Sequence, residues 1–230
     1  MQAVPPAVID RIDAALQMTR DKRGPVMVGI AGPVAVGKTT FASALALATG
    51  GATRTTDGFL LSNAQLEARG ILDQKGFPQS YDNQRLIEFL QQIRISDTVT
   101  GLSRYSHETF DIEPDPQPFH RDRIVIIEGV NALQPTIAAQ LDVRLYLDAD
   151  EPDVIDWYTD RFRKLTRLAQ QSGTGFYTRF ASLSSEDLTA MAHAVWHAIN
   201  APNLHQHIAP TKAHADVVIR QSADHTLTVE

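Results

Sequence analysis

The stretch from residue 31 to residue 40, AGPVAVGKTT, constrains the fold more than any other part of the chain. It matches the pattern G-x-x-x-x-G-K-T at Gly32, Gly37, Lys38 and Thr39. A short apolar run (25–30) precedes it and an alanine- and leucine-rich run (41–48) follows it, which predicts strand, loop and helix in that order. Glycines let backbone N–H groups turn inward around phosphate oxygens, and the helix dipole points its positive end there. The stretch therefore predicts a P-loop that binds nucleotide phosphates.

The residues of this loop predict ATP and Mg²⁺ as its ligands. Lys38 can reach the β- and γ-phosphates, and the Thr39 hydroxyl can bind Mg²⁺. The predicted nucleotide-binding residues are Gly32, Val34, Ala35, Val36, Gly37, Lys38, Thr39 and Thr40. The alternative is a glycine-rich turn with a surface lysine, but such a turn rarely matches the whole pattern between a strand and a helix by chance.

Strand patterns alternate with helix patterns along the rest of the chain. Predicted strands span 25–30, 52–56, 124–127, 143–147 and 217–219, and predicted helices span 8–20, 41–48, 86–93 and 152–171, with a further helix from 184. Three prolines between 104 and 121 predict strand ends and loop there. This alternation predicts an α/β protein with the three-layer P-loop NTPase fold, in which helices flank a mostly parallel sheet. We expect a single domain over 1–230.

The helix from 184 has the clearest sequence signals. Ser184 and Asp187 have the spacing of a capping box, which places the start of the helix. The predicted buried face consists of Leu188, Met191, Ala192, Val195 and Ile199.

Composition excludes several classes of protein. The chain has 230 residues with 21 basic and 27 acidic side chains, and this net charge of -6 argues against a nucleic-acid-binding groove. The chain contains no cysteine, which excludes disulfides, thiolate nucleophiles and cysteine-bound metals. We see no signal peptide and no apolar run of the ~20 residues that cross a bilayer, so we expect a soluble, cytoplasmic protein without membrane contact.

Two acidic residues follow predicted strands and suggest a phosphoryl-transfer site. Asp57 should emerge at the same sheet edge as the P-loop, where it can accept the proton of an attacking hydroxyl. Glu128 ends the apolar strand RIVIIE, where it can bind Mg²⁺ or its waters. The alternatives are a turn-forming Asp-Gly pair and an acid at a strand end on the surface.

The remaining signals favour transfer to a small molecule. The guanine-binding motif of GTPases is absent, because the nearest match, TKAH at 211–214, lacks the aspartate. A lid that covers the phosphates and adds positive charge is predicted over 152–184. Within it, Arg161 shares a predicted helix face with Trp157 and Tyr158, whereas the other cations are expected on a solvated surface.

Several blocks of sequence then resemble a known family. They are TTDGF (55–59), RGILDQKGFPQSYD (69–82), RYSHETFD (104–111), IIEGVNALQ (126–134), WYTDRF (157–162) and HAINAPNL (197–204). Together with the P-loop they resemble bacterial type I pantothenate kinase, and they cover most of the chain in family order. Uridine kinase and phosphoribulokinase share the P-loop and general architecture but look less similar in these blocks.

The resemblance implies ATP-dependent phosphorylation of pantothenate to 4'-phosphopantothenate, the first step of coenzyme A biosynthesis. It implies Asp57 as the base, with Lys38 and Arg161 also catalytic, and Thr39 and Glu128 at the metal. The implied substrate-binding residues are Tyr105, His107, Tyr158, Arg161, Phe176, Tyr177, Phe180 and Asn200. For Phe180, a role as an ordinary core residue is an equal alternative.

Some positions depart from the family pattern. Ser43 stands where family members commonly have an arginine implicated in feedback inhibition by coenzyme A, and Lys164 and Leu165 replace a more aromatic pattern. We therefore expect weakened inhibition by coenzyme A. The resemblance also implies a homodimer.

Two other functions stay open on the sequence. One is phosphorylation of another small alcohol, such as a nucleoside or a sugar, and the other is a nucleotide-binding regulator with little turnover. His193 and His197 have the spacing of a two-histidine metal face, but no third ligand follows at a clear spacing. The sequence assigns no role to His205 and His207.

Overall fold

The computed structural model describes residues 4–19 and 24–230, and a six-stranded sheet forms its centre. The strands are β1 Val26–Ala31, β2 Ala52–Thr55, β3 Thr98–Val99, β4 Ser103–Ser106, β5 Asp111–Pro114, β6 Phe119–His120, β7 Ile124–Glu128, β8 Val143–Ala149, β9 Val217–Gln221 and β10 Leu227–Val229. The order across the central sheet is β2-β7-β1-β8-β9-β10. All neighbours pair in parallel except β9 and β10.

Helices cover both faces of this sheet. They are α1 Pro6–Gln17, α2 Lys38–Thr49, α3 Asn63–Ala68, α4 Asn83–Ile95, α5 Pro135–Ala138, α6 Glu151–Ser172, α7 Ser185–Val195 and α8 Ala201–Asn203. The predicted strands and long helices are all present. The first helix was predicted to run to about Arg20, which lies outside the described residues.

Two apolar cores lie on opposite faces of the sheet because successive side chains of a strand point in opposite directions. Val28, together with Ile126, packs against α1 and α2 on one face. Met27, together with Val125, packs against α4 and the C-terminal helical segments on the other. Strands β1, β7 and β8 consist mainly of apolar residues, as expected for the centre of a sheet that is buried on both sides. The predicted three-layer α/β fold with a mostly parallel sheet is confirmed.

The segment from 104 to 121 has more structure than its three prolines predicted. Strands β4 and β5 form an antiparallel hairpin, and β6 pairs with β3. Arg54 anchors the hairpin by an ion pair with Asp115 at 2.8 Å and a hydrogen bond to the carbonyl of Ser103. The prediction of strand ends and loop was therefore incomplete here, because the pairing of this hairpin depends on contacts with β2 rather than on its own sequence.

The helix that begins at Ser184 differs in detail from its prediction. The Ser184 hydroxyl accepts a hydrogen bond from the Asp187 backbone at 3.1 Å, which confirms the cap. The predicted buried face is partly wrong: Ala192 is buried, but Met191 is 37% exposed. A π-helical turn, Trp196–Asn200, follows α7, and it is Trp196 that enters the core. Val195 and Ile199 line a cavity instead.

None of the helices within residues 4–19 and 24–230 combines the length and the apolar composition that crossing a bilayer requires.

Candidate active site

The P-loop lies between the end of β1 and the first turn of α2. Gly37 is the N-cap of α2 with φ 92°, and Ala35 also has a positive φ of 66°. A Cβ added to Gly32 would lie 2.1 Å from the carbonyl oxygen of Leu147, so a side chain there would collide with the backbone of β8. Gly32 is therefore required where the loop crosses the end of the neighbouring strand.

Lys38 is buried inside the loop that it follows. Its Nζ donates to the carbonyl oxygens of Gly32 at 3.1 Å and Pro33 at 2.7 Å. Burial lowers the pKa of Lys38 to about 8, while the charges of Glu128 and Asp57 oppose that shift. The ammonium is thus held by weak neutral acceptors, which phosphate oxygens can replace with stronger charge-assisted bonds.

The first turn of α2 is joined to the end of β7. The Thr39 hydroxyl donates to Glu128 Oε1 at 3.0 Å. Burial raises the pKa of Glu128, whereas the nearby Lys38 charge acts in the opposite direction. A hydroxyl and a carboxylate side by side are the oxygen donors that Mg²⁺ prefers, so this pair fits a magnesium site.

Asp57 lies in a short 3₁₀ turn, Thr56–Phe59, that follows β2. It borders a cavity of about 1100 Å³ that also reaches Val34 of the P-loop. Its charge acts on Lys38 on one side and on Tyr105 and His107 on the other. Asp57 therefore occupies the boundary between the phosphate loop and this space, which we call the acceptor cavity.

The acceptor cavity gathers every residue that the sequence predicted for substrate binding. They are Tyr105, His107, Tyr158, Arg161, Phe176, Tyr177, Phe180 and Asn200. They come from the β4–β5 hairpin, from α6, from the 3₁₀ segment Phe176–Phe180 and from the π turn. More than ninety residues separate the first from the last, so only the tertiary structure brings them together.

Two of these residues contact each other across the cavity mouth. Arg161 donates to His107 Nε2 at 2.9 Å, and the His107 ring meets the Tyr105 ring edge-on at 5.0 Å between centroids. Burial and the Arg161 charge both lower the pKa of His107. His107 is therefore a neutral acceptor for Arg161 at neutral pH, which leaves the remaining guanidinium donors of Arg161 for a ligand.

Aromatic rings form the far wall of the cavity. Phe180 and Tyr177 both pack on Phe162, with centroids 5.1 Å and 5.6 Å apart. Phe176 stacks on Phe110 of the hairpin at 4.0 Å. Phe180 thus borders the cavity and also packs among aromatic residues. Its position is compatible with both alternatives, a substrate contact and a core residue. Burial raises the pKa of Tyr177 to about 12, so its hydroxyl stays protonated.

Asn200 carries an unsatisfied polar group into the cavity. Its Nδ2 is buried and makes no hydrogen bond of normal geometry with the residues that the structure describes, although the side chain is near enough to Tyr158 to lower the pKa of that hydroxyl. A buried amide donor without a partner costs about 1–3 kcal/mol, which a ligand acceptor would recover. The π turn is what presents this side chain, and such turns recur at functional sites.

A second cavity, of about 450 Å³, lies on the other side of the P-loop. It is bordered by Gly37 and Thr40 and by Trp157, Asp160 and His225. The Trp157 and His225 rings stack at 4.9 Å with planes 29° apart. Trp157 and Arg161, predicted to share a helix face, line different cavities, Trp157 the second cavity and Arg161 the acceptor cavity. His225, which lies in the β9–β10 turn with φ 65°, was not among the predicted site residues.

Two further residues of the acceptor cavity were not among the predicted site residues. Lys75 donates to Asn63 Oδ1 and to the Phe110 carbonyl, both at 2.6 Å, and burial lowers its pKa. The Tyr81 hydroxyl donates to Asp57 Oδ1 at 3.2 Å. Both residues lie in the block RGILDQKGFPQSYD, and the resemblance of this block to the family was the sequence signal that could have identified them.

The remaining histidines lie apart from the acceptor cavity. His205 Nε2 is 2.8 Å from Glu151 Oε2, and the His207 ring packs edge-on against Phe77. His193 and His197 are exposed on the surface. In the described ranges, no three His, Asp or Glu side chains come together as a metal site.

Comparison with known proteins identifies the family. No family model matches the chain. The pantothenate kinase of Shouchella clausii (strain KSM-K16) is 39% identical over 222 residues, which cover 89% of this chain and 70% of that protein. The pantothenate kinase of Clavibacter sepedonicus is 39% identical over 234 residues, which cover 95% of this chain and 73% of that protein. The chain belongs to the pantothenate kinase family.

One solved structure supports the fold of this family member. A crystal structure named "putative fructose transport system kinase", from Silicibacter sp. TM1040, superposes with a TM-score of 0.70 over 90% of this chain and 93% of that chain. At 21% identity it supports the fold alone.

The lowered pKa of Lys38 predicts pH-dependent nucleotide affinity. Lys38 is charged below pH about 8 and neutral above it, so phosphate affinity is present at pH 7 and lost as the pH rises. We expect ADP affinity, measured by calorimetry from pH 7 to 9.5, to fall by up to about tenfold per unit above pH 8, as for one titrating cation.

The matched control is Lys38→Arg, because a guanidinium keeps its charge over this range. Its affinity should be lower overall but flat with pH. A wild-type affinity that stays flat to pH 9.5 would contradict the prediction.

Proposed function

We propose that this chain transfers the γ-phosphoryl group of ATP to the primary hydroxyl of pantothenate. The observation that carries the proposal is the position of Asp57, on the wall of the acceptor cavity and within electrostatic reach of Lys38. A base between a phosphate loop and a small-molecule cavity is the arrangement that a kinase for a small alcohol needs. The relatives named pantothenate kinase support pantothenate as that alcohol.

The phosphate side uses the P-loop. Backbone N–H groups of residues 34–40 and Lys38 bind the phosphates. The cavity beside Trp157 and His225 binds the adenine ring of ATP. Thr39 and Glu128 would hold Mg²⁺, which when bound supplies positive charge to the β- and γ-phosphate oxygens. The hydrogen bond between Thr39 and Glu128 keeps both oxygens close to the loop.

The acceptor side matches the chemistry of pantothenate, which offers hydroxyls, an amide and a carboxylate. Tyr105, Tyr158 and Asn200 supply neutral donors and acceptors at the cavity wall, and Asn200 Nδ2 makes no hydrogen bond of normal geometry within the described part of the chain. Phe176, Tyr177 and Phe180 cover the apolar part of the substrate. We also propose that the segment 152–184 acts as the lid that excludes water.

In the reaction, Asp57 accepts the proton of the substrate hydroxyl while the oxygen of that hydroxyl attacks the γ-phosphorus. The new P–O bond forms as the bond to the β-phosphate oxygen breaks, and ADP leaves with that electron pair. Lys38 and Arg161 stand where negative charge collects on the transferring group. Because Arg161 is already oriented by His107 at 2.9 Å, little reorganisation of the guanidinium is needed.

A panel of acceptors tests the proposal. In a coupled assay of ADP release, we expect turnover of ATP with pantothenate and not with uridine, ribulose 5-phosphate or fructose. Turnover with one of the other alcohols would move the chain to a different kinase activity. Retained ATP binding with a flat panel would favour a nucleotide-binding regulator. Cytoplasmic location and a homodimer stay predictions from the sequence.

Removal of the base should affect chemistry and not nucleotide binding. Asp57→Ala should lower kcat with pantothenate by ~10²–10⁴, because the hydroxyl loses its proton acceptor. ADP affinity should be preserved, since Asp57 borders the acceptor cavity and lies outside the loop. Unchanged kcat would remove Asp57 from this role.

Feedback inhibition by coenzyme A is expected to be weak. Ser43 is half-buried, and its neutral hydroxyl donates to the Thr39 carbonyl at 2.8 Å, so this position carries no cation. Inhibition by coenzyme A should be assayed in competition with ATP. Ser43→Arg should tighten it by on the order of tenfold, as for one charge-assisted hydrogen bond.

Ser43→Gln is the neutral control of similar length and should behave like the wild type. Strong ATP-competitive inhibition of the wild type would refute the expectation.

A further inference from the structure

The side chain of Tyr81 ends directly on the carboxylate of Asp57. Its hydroxyl donates to Oδ1 at 3.2 Å, and the residue is only 6% exposed. Tyr81 belongs to GFPQSYD, a block that neither the phosphate loop nor the acceptor-binding residues account for. This contact can orient the carboxylate of Asp57.

The backbone of Tyr81 is fixed beside the turn that carries Asp57. Tyr81 forms a β-bridge with Leu60. On either side of it, the Leu61 amide donates to the Ser80 carbonyl at 2.9 Å and the Asp82 amide donates to the Phe59 carbonyl at 2.8 Å. These backbone hydrogen bonds join the two segments and place the tyrosine ring beside Asp57.

The direction of the phenolic proton is also determined. The Asn131 side chain, which is 2% exposed, acts on the Tyr81 hydroxyl in the opposite sense to Asp57 and lowers its pKa. Its Nδ2 donates to the Gly76 carbonyl at 3.0 Å, while its Oδ1 accepts from Gln134 at 3.4 Å. A carboxylate oxygen can only accept, and since a phenol has one proton, that proton is directed to Asp57.

Burial keeps this donor in place over the pH range of an enzyme assay. It raises the pKa of Tyr81 well above the usual value, and the negative charge of Asp57 raises it further. The hydroxyl therefore stays protonated. The Gly76 carbonyl that accepts from Asn131 also accepts from Asn203 Nδ2, at 2.9 Å, and Asn203 lines the acceptor cavity.

We propose that Tyr81 is a positioning residue that holds Oδ1 of Asp57 and so presents Oδ2 to the acceptor hydroxyl. The proposal rests on the proposed function, in which Asp57 accepts the proton of that hydroxyl. A carboxylate on a short side chain rotates about its terminal bond unless one oxygen is held. With Oδ1 occupied, each productive encounter uses the same oxygen in the same orientation.

Tyr81 also borders the acceptor cavity, so direct binding of the substrate is the competing role. The two roles differ in which kinetic constant they affect. Loss of a positioning contact lowers kcat with little change in KM, whereas loss of a contact to bound pantothenate raises KM.

Tyr81→Phe removes the hydroxyl and keeps the ring. We expect kcat with pantothenate to fall about tenfold or more, as for loss of one hydrogen bond to a charged group, with KM for both substrates within about twofold. Tyr146→Phe is the matched control, since Tyr146 is another buried tyrosine, in β8 and outside both cavities. Its kcat should equal the wild-type value. The melting temperatures of both variants report any general loss of stability.

A double-mutant cycle then tests whether Tyr81 acts through Asp57. Asp57→Asn leaves an amide that cannot accept the substrate proton, so Tyr81→Phe in that background should cause no further loss of kcat. A full additional loss there, an unchanged kcat in the single variant, or a raised KM for pantothenate would each overturn the proposal. Absence of wild-type turnover with pantothenate would instead contradict the proposed function.

Discussion

The parallel pairing of β1 with β7, and of β7 with β2, is the constraint on which the whole site depends. Residue pairs in this register include Ile30 with Glu128 and Thr55 with Glu128, so three strands end at one level. The P-loop follows the end of β1, Glu128 is the last residue of β7, and Asp57 lies two residues after β2. The hydrogen bond from Thr39 to Glu128 then closes the edge. A slip of one residue in β7 would turn Glu128 into the core and bring an apolar side chain to the phosphates.

Helix α6 divides the space above this edge into two cavities. Residues three apart on a helix share a face, so Trp157 and Asp160 border the second cavity while Tyr158 and Arg161 border the acceptor cavity. One rigid helix therefore contacts both the proposed nucleotide site and the proposed acceptor site. The hairpin is linked to it through His107 and Arg161. The position of the acceptor relative to the phosphates thus depends on how α6 packs on the sheet.

Much of the fold could be predicted because its signals are local. The apolar runs of β1, β7 and β8 and the cap at Ser184 depend on neighbours a few residues away. The errors concern distant contacts. Met191 fits an apolar helical stripe but is exposed, because the side of the helix that packs on the core carries Ala192 and Trp196, which are four residues apart. The sequence predicts only strand ends and loop for the hairpin of β4 and β5, because the two residues of its anchoring ion pair, Arg54 and Asp115, lie far apart in sequence.

The chemical groups of the site could be predicted from the sequence: a phosphate loop, an acid at or just after the end of each of two strands, and donors suited to a small polar alcohol. These follow from residue types and short spacings, which are visible without a fold. Only the tertiary structure decided which residues share a cavity, that Trp157 and His225 lie apart from Arg161, and that Tyr81 meets Asp57. The reason is physical. Sequence spacing fixes neighbours along one strand or helix, whereas distances between elements depend on how the sheet pairs and how helices pack on it.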